Sequence, residues 1–230
     1  MGSLLTIVDA ARRAAADAPS VEQGARAVER ALDAFLRHQP VAVHRAAAGL
    51  AGLLPPAASC ITLSTSEVVW RALLAARRRG RLARVVVAES RPGNEGVGLA
   101  RRLAARRIPV TLVVDALVPA ILTDVDAAVV GADAVTARGV WNKCGTLALA
   151  LGARAAHRPL YVVTTEDRLV PARLAPALRV PDAQPTRVRG VPVVQRLFDV
   201  TPLSHIARVV TDAATMSPAR VRARLGRGRR

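Results

Sequence analysis

The sequence predicts an α/β fold in which a doubly wound, mostly parallel sheet follows a small helical unit. Three observations carry this expectation. Apolar residues recur at helical spacing up to about Leu53, Pro55 and Pro56 stop that pattern, and beyond them short β-rich runs alternate with helical ones. Strands separated by helices imply parallel neighbours, because each connection must return across a face of the sheet.

In the first segment Leu5, Val8, Ala11 and Ala15, then Ala27, Val28, Leu32, Phe35 and Leu36, fall at helical spacing. Consecutive prolines cannot continue a helix and favour an extended turn. Residues 60–63, 85–88, 110–114, 127–130 and 160–163 then read as strands, with crossover helices over 68–78, 96–106, roughly 118–122, and 146–156. Residues 166–202 carry Pro171, Pro176, Pro181, Pro185 and Pro192 and predict an irregular excursion, after which a last helix is expected near Leu203. The expected division is a helical N-terminal domain over 1–56, a ligand-binding α/β domain over 57–216 and a flexible basic tail over 217–230.

Of 230 residues, 51% are hydrophobic and only 2% aromatic, so the core has to be built from Ala, Val and Leu at close approach. The most apolar stretch, 111–135, is interrupted by Asp115, Asp124, Asp126 and Asp133, which would be too costly in a lipid-spanning helix. No membrane span is predicted. The first residues lack a basic segment followed by a long apolar run, so a cytoplasmic location is expected. Cys60 and Cys144 are too few for a disulfide framework, and His38, His44, His157 and His205 show no ligand spacing. Neither a metal nor a cofactor is expected.

The formal charge of +17 raises the prospect of a nucleic-acid partner. Distribution argues otherwise, because Arg71, Arg77, Arg78 and Arg79, like Arg101, Arg102, Arg106 and Arg107, read as solvated helix faces. Only Arg220, Arg222, Arg224, Arg227, Arg229 and Arg230 concentrate charge, in an arm that is either simply solvated or binds RNA or an acidic partner. No aromatic residues interleave that arm, so base stacking is unsupported there.

Ligand sites in doubly wound sheets form beyond the carboxyl ends of the strands. After the first strand come the hydroxyls of Thr62, Ser64, Thr65 and Ser66, suited either to a phosphate at a helix N-terminus or to capping that helix. Arg91 follows the second strand and either grips a phosphate or pairs with Glu89 or Glu95. Asp133 follows the fourth, where it caps a turn or carries a proton beside Asn142 and Lys143. Lys143 is the only lysine among 34 basic residues, either a surface lysine left over in an arginine-biased composition or the one compact ammonium that a narrow site needs in place of a guanidinium fork. With no G-x-G-x-x-G or P-loop pattern, these groups favour a phosphorylated, hydroxyl-rich small molecule over a dinucleotide.

Five blocks occur in a specific order: Glu89-Ser90-Arg91-Pro92, Val110-Thr111-Leu112 with Asp115, Gly131-Ala132-Asp133-Ala134-Val135, Asn142-Lys143-Cys144-Gly145-Thr146, and Phe198-Asp199-Val200-Thr201-Pro202. Through them the chain resembles, over about residues 59–209, the translation initiation factor 2B alpha/beta/delta family, which includes methylthioribose-1-phosphate isomerase and ribose-1,5-bisphosphate isomerase. The resemblance implies a Rossmann-like carboxyl-terminal domain behind a helical one, and a homodimer or higher homo-oligomer. In the isomerases a cysteine in a Thr-His-Cys turn and an aspartate in the Gly-Ala-Asp block carry the proton transfers. Asp133 matches that aspartate, but the turn here reads Thr62-Leu63-Ser64, so Ser64 holds the cysteine position. An unactivated hydroxyl is a far poorer acid and nucleophile than a thiol. Cys60, four residues earlier, would reach the site only through a shifted alignment.

Arg91, Asn142 and Lys143 match positions that hold substrate phosphate or hydroxyls, and Thr62, Thr65 and Gly145 complete the expected binding set. The family's Arg-Gly-Ala-type phosphate loop has no counterpart before Pro55. The implied function is a protein that binds a phosphorylated ribose or nucleotide and resembles aldose–ketose isomerases acting on ribose 1-phosphate derivatives, with Asp133 and Ser64 at the reacting atoms. The alternative is a non-catalytic regulatory or assembly subunit that senses such a ligand.

Overall fold

The structure, a computed structural model, describes residues 1–179 and 189–226. Two helices come first, α1 (Gly2–Ala16) and α2 (Val21–Ala51), the second begun by Ser20, whose hydroxyl accepts the Gln23 N–H. Then follow β1 (Ala58–Leu63), α3 (Glu67–Arg78), β2 (Leu82–Ala88), α4 (Glu95–Ala104), β3 (Val110–Val113), α5 (Val118–Ile121) and β4 (Ala127–Val130). The remaining elements are β5 (Ala134–Val135), β6 (Gly139–Lys143), α6 (Thr146–Ala155), β7 (Leu160–Val163), β8 (Phe198–Pro202), β9 (Arg208–Val210), β10 (Thr215–Met216) and α7 (Pro218–Gly226).

The main sheet has the order β10-β9-β7-β4-β1-β2-β3, parallel throughout except for the β9–β10 edge pair. The expected α/β class, with a mostly parallel sheet behind helices, is what the chain adopts. Its strands are apolar runs because both faces are covered. Cys60, Val85, Val87, Ala127 and Val129 face α2, α3 and α4, while the alternate residues Ile61, Val86, Ala88, Ala128 and Val130 face α6 and α7. Alanines at Ala46, Ala47, Ala72 and Ala76 let α2 and α3 approach closely, and Leu50 and Leu73 are fully buried between them and the sheet.

Chain order along the sheet reverses at one place. From β1 the chain winds outward through β2 and β3, then returns to lay β4 on the other side of β1. The crevice between the carboxyl ends of β1 and β4 is therefore the switch point at which such folds bind ligands. Two glycines bring its walls together. A Cβ on Gly96 would sit 1.8 Å from the Ala88 carbonyl oxygen, so glycine alone lets α4 begin against the end of β2. A Cβ on Gly131 would lie 2.8 Å from Ser66 Oγ, at the cap of α3.

Three expectations need correction. No helix begins at Leu203; a single 3-10 turn over Leu203–His205 leads instead into β9, which extends the parallel sheet beside β7. Leu203 and Ile206 are buried from this turn, just before the strand begins. The expected flexible tail is helical over Pro218–Gly226: Val221 and Leu225 sit one turn apart and are buried, and Ser217 Oγ accepts the Arg220 N–H at the start. Arg227, Arg229 and Arg230 lie outside the described residues. The excursion over 166–202 is largely irregular where described, with 180–188 outside the described residues, but its end is β8. That strand joins β5 and β6 in a second, antiparallel sheet which the sequence did not suggest.

Candidate active site at the switch point

A cavity of about 250 Å³ opens at the crevice, lined by Ser64, Thr65, Glu95, Asp133, Asn142, Lys143, Leu197 and Phe198. Two larger cavities, of about 470 and 580 Å³, lie elsewhere. The smallest of the three is the candidate site, because it lies at the switch point and gathers two carboxylates, an ammonium, an amide and two hydroxyls.

Each wall has a local cause. Ser64 has φ +59°, which turns the chain sharply after β1, and its N–H donates to Ser90 Oγ at 2.6 Å. Ser90 is held in turn by Asp115, whose two carboxylate oxygens accept the N–H groups of Ser90 at 2.8 Å and Arg91 at 2.7 Å. One carboxylate after β3 thus fixes the turns after β2 and β1. The second sheet supplies the opposite wall. Antiparallel register sets Lys143 against Phe198 and Asn142 against Asp199, so Lys143 and Phe198 reach the cavity from adjacent strands.

Lys143 is only 5% exposed, and its Nζ donates to Glu95 Oε1 at 2.7 Å. Burial of a charged group requires such a partner. The other Glu95 oxygen, Oε2, is buried without a hydrogen-bond partner. Asn142 Nδ2 donates to Thr146 Oγ1 at 2.9 Å, and that hydroxyl donates to the Lys143 carbonyl at 2.6 Å, tying the end of β6 to α6. Gly145 has φ +101° and donates its N–H to Asp199 Oδ2 at 2.8 Å, with Leu147 N–H 3.1 Å from the same oxygen. Asp199 is therefore the cap of α6, and burial raises its carboxyl above the ordinary range against the lowering effect of those N–H groups. Asp133 is anchored by its backbone, its N–H donating to the Trp141 carbonyl and its own carbonyl accepting the Gly2 N–H at 2.7 Å. Its half-buried side chain makes no ion pair with the described residues.

Of the residues named from sequence, Ser64, Thr65, Asp133, Asn142 and Lys143 meet in this one cavity. Arg91, Thr62 and Gly145 do not line it. Arg91 is exposed, Thr62 is fully buried within β1 with its hydroxyl unpartnered, and Gly145 forms the turn into α6. Glu95, Leu197 and Phe198 also line the cavity, although the sequence points to Glu95 only as a partner for Arg91 and to neither Leu197 nor Phe198 as a site residue. Neither cysteine lines the cavity. Cys60 is buried inside β1, where desolvation pushes its thiol up to about 12, and burial also raises Cys144.

A helical amino-terminal segment on a doubly wound sheet, with a polar cavity at the switch point, defines a Rossmann-like α/β protein with one candidate ligand site. The chain belongs to the Initiation factor 2 subunit family, whose sequence model matches residues 1–218. It is 34% identical to a translation initiation factor eIF-2B subunit 2-like protein of Pyrococcus furiosus over 165 residues, 70% of this chain and 58% of that protein. It is 37% identical over 155 residues to a ribose 1,5-bisphosphate isomerase of Haloferax volcanii, covering 63% of this chain and 48% of that enzyme. The crystal structure of the Pyrococcus horikoshii OT3 translation initiation factor eIF-2B superposes with a TM-score of 0.83 at 28% identity, covering 96% of this chain and 77% of that one. The resemblance read from the ordered blocks is borne out. The chain spans roughly half of the length of these two curated relatives.

Proposed function

We propose that the switch-point cavity binds one phosphorylated ribose or nucleoside monophosphate, in the manner of the aldose–ketose isomerases of the family. The observation that carries this is the convergence of Ser64, Thr65, Asp133, Asn142 and Lys143 on one cavity. Its volume of about 250 Å³ suits a single sugar phosphate better than a dinucleotide. The Ser64–Thr65 turn at the start of α3 and the Lys143 ammonium receive the phosphate. Asn142 and Glu95 hold sugar hydroxyls, and Asp133 exchanges a proton with a substrate oxygen. Arg91, exposed on the adjacent turn, closes over the phosphate from outside. A cytoplasmic setting and a homo-oligomeric assembly belong to the same proposal. No helix among the described residues is long and apolar enough to cross a membrane.

A second reading is favoured by one observation: no thiol lines the cavity, and Ser64 stands where the isomerases use cysteine. On that reading the same pocket senses a sugar phosphate or nucleotide without converting it. Thermal-shift screening of ribose phosphates and nucleoside monophosphates against wild type, Lys143→Ala and Asp133→Asn tests binding. A ligand at about 100 times its Kd stabilises by about 2.7 kcal/mol; a shift lost in Lys143→Ala supports the pocket, and no shift with any ligand contradicts it. Product analysis then separates the two readings. Conversion that disappears in Asp133→Asn identifies an isomerase, and tight binding without conversion a sensor.

A further inference from the structure

We infer that a second anion site, for a small oligophosphate, lies in the cleft between α2, α3 and the end of α4. This cavity, of about 470 Å³, is walled by His44 of α2, by Trp70, Arg71 and Arg78 of α3, by Arg79 at its end, and by Arg106 beyond α4. In the sequence these arginines read as solvated faces. Folded, they ring a concavity around one tryptophan.

No carboxylate lines this cleft. Arg71 shares Glu67 with Arg102, at 2.7 and 2.8 Å. Arg79 donates to the Ala48 carbonyl at 3.0 Å, a neutral partner that leaves its charge uncompensated. Arg78 and Arg106 make no ion pair with the described residues. The guanidinium of Arg102 lies 4.1 Å from the Trp70 ring centroid, with Arg106 at 5.6 Å and Arg71 at 5.8 Å. Glu67 offsets one of the three guanidinium charges about the indole, and an anion would relieve the repulsion that remains. Trp70 Nε1 is also buried without a hydrogen-bond acceptor, an exception that calls for a missing partner.

The geometry selects phosphate rather than base. Arg102 already lies over the Trp70 ring, so a nucleobase would have to displace a guanidinium to stack on that face. Guanidinium forks converging from α3, its carboxyl-terminal end and the turn beyond α4 match the oxygens of a phosphate chain. The cleft is a concavity of about 470 Å³, which suits a compact polyanion rather than an extended nucleic acid.

The test uses the full chain carrying Trp141→Phe, which leaves Trp70 as the only tryptophan. Sodium pyrophosphate, tripolyphosphate and ATP are titrated at fixed ionic strength while tryptophan emission is followed. Tripolyphosphate is expected to change the emission saturably, with ATP binding no more tightly. The exposed pair Arg78→Ala/Arg106→Ala should weaken tripolyphosphate by about tenfold or more. The charge-matched pair Arg101→Ala/Arg107→Ala, outside the cleft, should leave affinity within about twofold of the parent. Melting curves without ligand check that both pairs fold, and Lys143→Ala should not alter this titration. Absence of saturable quenching, equal losses in the two double variants, or binding of ATP without tripolyphosphate would each overturn the inference.

Discussion

Lys143 Nζ stands 2.7 Å from Glu95 Oε1 inside the switch-point cavity, so the chain's only lysine is held by a carboxylate on the first turn of α4. The pair spans 48 residues of sequence and joins the second sheet to the start of α4. On the proposed function, an incoming phosphate shares Lys143 with Glu95 rather than meeting a free ammonium. Glu95→Gln should tighten binding of an anionic ligand by about tenfold, because a nearby negative charge is removed. The same change should lower unliganded stability by about 1–3 kcal/mol, since Lys143 then lies buried without its counter-charge. Calorimetric titration and urea unfolding measure the two effects, and Lys143→Arg should weaken binding relative to wild type in so narrow a space.

Asp199 should show its capping role as a loss of about 0.5–2 kcal/mol in Asp199→Ala, measured by urea unfolding. Burial raises its folded-state pKa above the unfolded value. Its contribution to stability is therefore complete below the unfolded value and is lost as pH rises through the folded one. Wild-type stability should decline across the interval just above the ordinary carboxylate range, and Asp199→Asn should flatten that decline.

Asp9 gives the opposite sign. On α1 it receives both terminal nitrogens of Arg173, at 2.5 and 2.6 Å, and that hydrogen bonding holds its carboxyl below the usual range. Its contribution is present above the unfolded value of about 3.9 and disappears as pH falls through the lower folded value. Asp9→Asn should lower the Tm near neutrality by roughly 2–4 °C and remove part of the acid limb of the Tm–pH curve.

Helix α7 carries buried Val221 and Leu225 although the sequence around them is arginine-rich. Leu225→Ala should cost about 2–4 kcal/mol in chemical unfolding, whereas exposed Arg222→Ala should change stability by less than about 0.5 kcal/mol. Equal, negligible effects would describe a tail without a docked helix.

What the sequence revealed follows from how each element is stabilised. The parallel strands were legible because burial on both faces turns them into runs such as Val85-Val86-Val87-Ala88, and the helices between them because their apolar stripes are local. The second sheet was hidden by non-local pairing: β5 has only two residues, β6 mixes Gly139 and Trp141 with Asn142 and Lys143, and its partner β8 emerges from a proline-rich stretch. Tertiary pairing, not local propensity, makes these residues strands. The cavity was legible wherever a residue follows a strand end, as Ser64 and Asp133 do. Glu95 was missed because its partner is set by the fold, and Arg91 and Thr62 were expected at the cavity because sequence order alone does not tell which way a rim side chain points.

Calorimetric titration of wild type and Lys143→Ala with ribose phosphates and nucleoside monophosphates tests the binding claim most directly. Saturable one-to-one binding by wild type, weakened about tenfold or more in Lys143→Ala, is the predicted result. Equal affinity in the two proteins, or no saturable heat from any of these ligands, would contradict it.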